Sequence, residues 1–220
     1  KIAPAFRATV AAQLAHFATR IDNGRCVYFS PEGTISGDGH FGRVRSGFFQ
    51  LCHAAAAPPW IQSMALGYDC LAPGRLRAVI RIGEHFRADP SLDRRRFDAT
   101  LRRAILALEP VTPSHLLARF LLQGPPAFTG DELGDWFVRS LAVLRARDAS
   151  LDPLWSRMPA QVLAARRLRW LQRKRLVRRG NAGFHNTCPR DSAPGWRTWA
   201  GVVRYLDNNL GDLAPDLPPC

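Results

Sequence analysis

The chain has 220 residues and a mass of 24.5 kDa, with 46% hydrophobic and 22% charged side chains: enough to bury the core of one or two globular domains, and too apolar for a disordered chain. Thirty-one Lys and Arg against 18 Asp and Glu give +13, and Lys occurs only at positions 1 and 174, so an arginine-rich protein is drawn to anionic surfaces, whether phospholipid, nucleic acid or an acidic carrier protein. The five cysteines include no C-x-x-C pair and point to neither a disulfide framework nor a zinc site but to a reducing cytosol, and no run of about 18 apolar residues spans a membrane.

Phe6, Val10, Leu14, Phe17 and Ile21 are spaced four, four, three and four, which predicts an amphipathic helix over 4–21, stopped by Asn23-Gly24. Cys26-Val-Tyr-Phe29 predicts a short buried strand that runs into a Pro- and Gly-rich loop over 31–42. A helix follows over 46–57 and ends at Pro58-Pro59. Strands are expected over 60–68 and 76–83, joined by a Pro73-Gly74 turn. This order predicts an α/β fold with a partial mixed sheet flanked by helices. From Asp89 the pattern becomes mostly helical. Ser91 or Asp93 caps a helix to about 108, and Pro110 and Pro113 set it off from a short helix over 114–122. Thr129-Gly-Asp-Glu132 has the form of a capping box and opens a helix to about 147. Pro159 takes the first turn of a helix through 162–176, Gly180-Asn-Ala-Gly183 makes a tight turn before Phe184, and a last helix covers 199–213. The expected division is 1–88 and 89–220.

The segment with the most chemistry is Phe29-Ser-Pro-Glu-Gly-Thr-Ile-Ser-Gly-Asp-Gly39. Glycines at 33, 37, 39 and 42 allow a ligand close to the backbone at the carboxyl edge of a sheet, and Arg43 and Arg45 just beyond can meet a phosphate. The same composition also suits an ordinary surface turn.

Taken whole, the segment resembles the F-P-E-G-T block of the glycerolipid acyltransferases, the 1-acylglycerol-3-phosphate (lysophospholipid) acyltransferase superfamily. The helix before it, Gly24-Arg-Cys-Val-Tyr-Phe29 leading in, Arg45-Ser-Gly-Phe-Phe-Gln50 leading out and Trp60-Ile-Gln-Ser-Met-Ala-Leu-Gly-Tyr68 follow in the family's order and spacing. The resemblance covers roughly residues 1–88. It implies an incomplete acyltransferase α/β domain that moves a fatty acyl group from acyl-CoA or acyl carrier protein to a lysolipid hydroxyl, peripheral at the inner membrane face, with no bound cofactor or metal. Glu32, Gly33, Thr34 and Ser36, with Arg43 or Arg45, then line the acceptor site, and Ile61, Met64, Leu66 and Tyr68 wall the acyl pocket.

Two departures qualify what is carried over. Where many members follow the Thr with an Arg that holds the acceptor phosphate, this chain has Ile35, which cannot form that charge-assisted bond. The family's base and its orienting carboxylate form H-x-x-x-x-D, and none of the six histidines has Asp five positions on. With a Lys start, the expectation is a carboxyl-terminal fragment lacking the catalytic dyad; the other reading is an inactive homologue.

Residues 129–190 outline a helix, a second helix and a hairpin, a winged-helix-like pattern. Eight basic and no acidic residues lie between Ala160 and Gly180. Arg166, Arg169, Arg173, Lys174 and Arg178 fit three readings: a solvated basic face over a core stripe, a helix laid on anionic lipid by Leu163, Leu168, Trp170, Leu171 and Leu176, or a nucleic-acid contact. The last would make the chain a nucleic-acid-binding module with a vestigial acyltransferase loop. Tyr205-Leu-Asp-Asn-Asn-Leu210 loosely resembles a closing Y-x-x-N motif of glycerol-3-phosphate acyltransferases.

Overall fold

The computed structural model describes residues 4–34 and 36–220, with side chains from Arg7 onward; Ile35 and the side chain of Phe6 lie outside the described residues. Among these the fold is mixed α/β, with eight helices and two small antiparallel sheets. The chain groups into two compact units, one of residues 1–35, 42–64 and 82–105, the other of 36–41, 65–81 and 106–220. A boundary at 88/89 falls inside the first.

In the first unit, α1 (Pro4–Asp22) packs on α2 (Ser46–Ala54), and α3 runs over Arg94–Leu106. Four phenylalanines form its aromatic cluster, with ring centroids 5.2 Å apart for Phe29–Phe48, 5.8 Å for Phe48–Phe97 and 5.5 Å for Phe49–Phe97. The strand expected over Cys26–Phe29 does not form: the backbone there is irregular and Tyr28 is 80% exposed. A strand needs a neighbour to satisfy its amides and carbonyls, none pairs with this segment among the described residues, and its apolar character is used instead through Phe29 in the cluster.

Strands β1 (Trp60–Asp69) and β2 (Arg77–Arg87) pair as a hairpin, the second running past its expected end at 83. Along β1 burial alternates strictly, with Ile61, Ser63, Ala65, Gly67 and Asp69 covered and Trp60, Met64 and Leu66 open, the two-residue period of a strand with one wet face. The mixed sheet expected from sequence is therefore corrected to two separate antiparallel ones.

The second unit carries most of the core. Its helices are α4 (Pro113–Gln123), α5 (Gly130–Ala146), the short α6 (Leu154–Arg157), α7 (Ala160–Arg173) and α8 (Trp199–Leu213). Helix α4 packs on α8 and α5 on α7, around Leu116, Phe120, Trp136, Phe137, Leu171 and Leu206. The capping box forms as expected: Glu132 N donates to Thr129 Oγ1 at 3.1 Å and Thr129 N to Glu132 Oε2 at 2.6 Å. The Gly180–Gly183 turn joins β4 (Val177–Arg179) to β5 (Phe184–Asn186), and β3 (Ala127–Phe128) pairs with β5, giving the order β3-β5-β4.

Candidate functional site

The acceptor loop is built by glycine geometry and a carboxylate turned on the backbone. Gly33 has φ +68°, in the left-handed region, and a Cβ there would stand 3.2 Å from Arg45 Cγ, so glycine lets the arginine lie against the turn. Glu32 Oε2 accepts the Gly42 N–H at 2.9 Å, Arg45 Nε donates to the Glu32 carbonyl at 3.2 Å, and Arg45 N donates to the Pro31 carbonyl at 2.7 Å. Glu32, Gly33 and Arg45 are thus brought together around a closed base, while Thr34 and Arg43 are exposed. Ser36 belongs to the second unit. Its Oγ donates to Asp38 Oδ1 at 2.9 Å and accepts from Gly39 N at 3.0 Å, and that hydroxyl bond leads in holding the Asp38 carboxyl below its ordinary range.

The four residues expected to wall an acyl pocket do not share a face. Ile61 is on the covered side of β1, Met64 and Leu66 are on the open side, and Tyr68 is half-buried with its ring edge-on to Trp196 at 6.0 Å. The period of the strand separates odd from even positions, which puts Ile61 on the opposite side of β1 from Met64 and Leu66. A groove of about 910 Å³ is lined by Pro73, Arg166, Arg169, Gln172 and Arg173.

Helix α7 divides its arginines between two fates. Leu163, Ala164, Arg167, Leu168, Trp170 and Leu171 are buried, whereas Arg166, Arg169, Arg173, Lys174 and Arg178 are exposed. The Lys174 ammonium lies 4.9 Å from the Trp199 ring and 5.7 Å from Trp170, a cation–π arrangement. Arg178 stands opposite His185 in the β4–β5 register. Arg167, in the same basic run but on the covered face, holds an extended polar cluster. Its guanidinium donates to Asp69 at 2.7 Å and to the Leu71 carbonyl at 2.8 Å. Ser114 Oγ also donates to Asp69, and Arg77 bridges Asp69 at 2.8 Å and Asp152 at 2.6 Å. Burial works to raise the Asp69 carboxyl, but Arg167, Ser114 and Arg77 together hold it below its ordinary value. Nearby His115 is fully enclosed and pushed down to about 4 by that burial, with Nδ1 accepting the Thr112 N–H at 3.0 Å. One sequence signal marks Arg167: it occupies the apolar stripe 163–167–171 rather than the face of 166, 169 and 173.

No family model matches this chain, and comparison with curated proteins finds no match. Among the described residues no helix is long and apolar enough to cross a membrane, and no three His, Cys, Asp or Glu side chains gather as metal ligands would.

Proposed function

We propose that the chain serves the acceptor side of an acyl transfer, binding a lysolipid whose hydroxyl takes a fatty acyl group from acyl-CoA or acyl carrier protein at a membrane surface. In this reading residues 1–88 are part of an acyltransferase α/β domain and the remainder is an extension. The observation that carries it is the closed loop at Glu32: carboxylate on the Gly42 N–H, Arg45 on the Glu32 carbonyl, left-handed Gly33 between. That is a preformed, exposed turn at the residues of the resemblance, with Arg43 and Arg45 supplying charge-assisted donors to a phosphate. Transfer itself needs a base to take the proton of the acceptor hydroxyl as its oxygen attacks the thioester carbonyl and the thiol leaves. No His-x-x-x-x-Asp occurs in these 220 residues, so binding without turnover is expected of them. Calorimetry with monomeric lysophosphatidylcholine and lysophosphatidate tests this: binding should appear, and Glu32→Ala, which frees Gly42 N–H and opens the loop, should weaken it at least about tenfold. Unchanged affinity in the variant would remove the loop from the site, and acyl transfer by the chain alone would refute the account of the base.

A second reading concerns α7. The apolar residues expected to lay this helix on lipid, Leu163, Leu168, Trp170, Leu171 and Leu176, are all buried in the core, which leaves only Val162 and Ala165 as exposed apolar side chains of α7. What remains exposed on α7 is Arg166, Arg169 and Arg173, with Gln161, Val162 and Ala165 beside them. The order α4-β3-α5-α6-α7-β4-β5 with strand order β3-β5-β4 supports reading this part as winged-helix-like, and we read the α7 face as a contact for duplex phosphates. Duplex affinity that falls steeply with salt, and falls further in an Arg166→Gln, Arg169→Gln variant, supports this reading. Vesicle binding with no duplex binding sinks it.

A further inference from the structure

The last helix makes three contacts with the glycine-rich segment that the sequence leaves unexplained. Asn208 Nδ2 donates to the Asp38 carbonyl at 2.8 Å. Asp212 Oδ2 accepts the Phe41 N–H at 2.7 Å, and Asp212 Oδ1 lies 3.4 Å from His40 Nδ1. Between them, Gly39 has φ +92° and rests on α8 itself: a Cβ there would come within 2.1 Å of the Tyr205 carbonyl oxygen. Tyr205, Asn208 and Asp212 are spaced three and four, one stripe of the helix, while Val202, Val203, Leu206 and Leu210 face the core.

Helix stability does not account for this stripe. Asn and Asp are poor helix formers, and Asp212 stands in the last turn, where the negative end of the helix dipole disfavours a carboxylate. Both polar side chains are explained by what they hold, a loop separated from them by 170 residues of chain.

We infer that Asn208 and Asp212 are positioning residues for the turn at Ser36–Phe41, fixing it in the form in which it meets a lysolipid head group; this rests on the acyl-acceptor reading above. The short Tyr-x-x-Asn segment of α8 thereby gains a role: it sets the shape of the turn where this chain departs from its resembled family. Cutting either contact should loosen the turn and change which head group it favours, without disturbing the core.

The test uses the full chain and measures the affinities of lysophosphatidylcholine and lysophosphatidate, amide exchange at 39–41 and thermal melting, for the parent, Asn208→Ala, Asp212→Ala and Asp212→Asn. Asp212→Ala should speed exchange at Phe41, shift the ratio of the two affinities about fivefold or more and leave the melting temperature in place. Asp212→Asn keeps an oxygen for the Phe41 N–H and should restore most of the parent ratio. If the parent binds and neither alanine variant changes the ratio, the inference is wrong while the acceptor reading stands. An affinity loss in step with a lower melting temperature, unrelieved in Asp212→Asn, also overturns it. If the parent binds neither lysolipid, the acceptor reading falls and takes this inference with it.

Discussion

Replacing Arg167 by Met keeps the length and the helix propensity of the side chain and removes only its charge and donors. Asp69 would then keep a full charge at 2% exposure with one guanidinium fewer, and the Leu71 carbonyl would lose its 2.8 Å donor. Breaking a buried ion pair from one side costs about 3–5 kcal/mol. Here the value belongs at the lower end, about 3 kcal/mol, because Arg77 at 2.8 Å and the Ser114 hydroxyl still serve the carboxylate. Urea unfolding at pH 7, followed by tryptophan fluorescence, measures it. Arg166→Met, one residue away and exposed, should stay within about 0.5 kcal/mol of the parent. Acid gives a second check. The depressed carboxyl of Asp69 contributes stability at neutral pH that is lost as pH falls through its folded value, so the gap between parent and Arg167→Met should narrow in acid. A loss below about 1 kcal/mol, a loss equal to that of Arg166→Met, or a gap that widens on acidification would refute the assignment of Arg167 to the core.

The enclosed imidazole of His115 stays neutral down to about pH 4, whereas an unfolded histidine takes a proton near 6.5. Stability should therefore decline by roughly 3 kcal/mol from pH 6.5 to 4 on this account. His115→Gln should flatten that part of the profile, and a parent whose stability is level across the window would disprove the burial argument. Gly39→Ala should unseat 36–41 from α8, since both the positive φ and the Tyr205 carbonyl oppose a side chain, at a cost of about 1–3 kcal/mol. Gly37→Ala, with nothing within 4 Å of its added carbon, serves as control, and equal effects of the two on Phe41 amide exchange would count against the contact. Thr129→Ala should cost about 1 kcal/mol and fray the start of α5; an unchanged denaturation midpoint would mean that the capping box contributes nothing.

Much of the fold was legible because its signals are local. Thr129 and Glu132 meet within one turn, and α8 spans Trp199–Leu213 as its apolar spacing and flanking residues imply, whereas α2 stops at Ala54, ahead of its expected end at 57 and of Pro58-Pro59. The misses required a distant partner. Cys26–Phe29 has strand composition but no strand beside it. Ala127–Phe128 is too short to show a period and exists as β3 only because β5 returns alongside. The acceptor loop was legible as a glycine-rich turn. Its closure by Glu32 on Gly42, and the hold of α8 on 36–41, were not.

Composition, capping residues and periodicity determine where this protein makes helices and turns, because those interactions reach only three or four residues along the chain. They also determine that it is arginine-rich and strongly cationic. Which arginine is structural is decided in three dimensions. Arg166 and Arg167 are neighbours with the same side chain, yet Asp69, 98 residues earlier, draws one into a buried ion pair and leaves the other facing solvent. A buried charge is tolerated only where a partner of opposite sign is already held in place, and that condition is met by the packing of β1 and α7 rather than by anything within the helix.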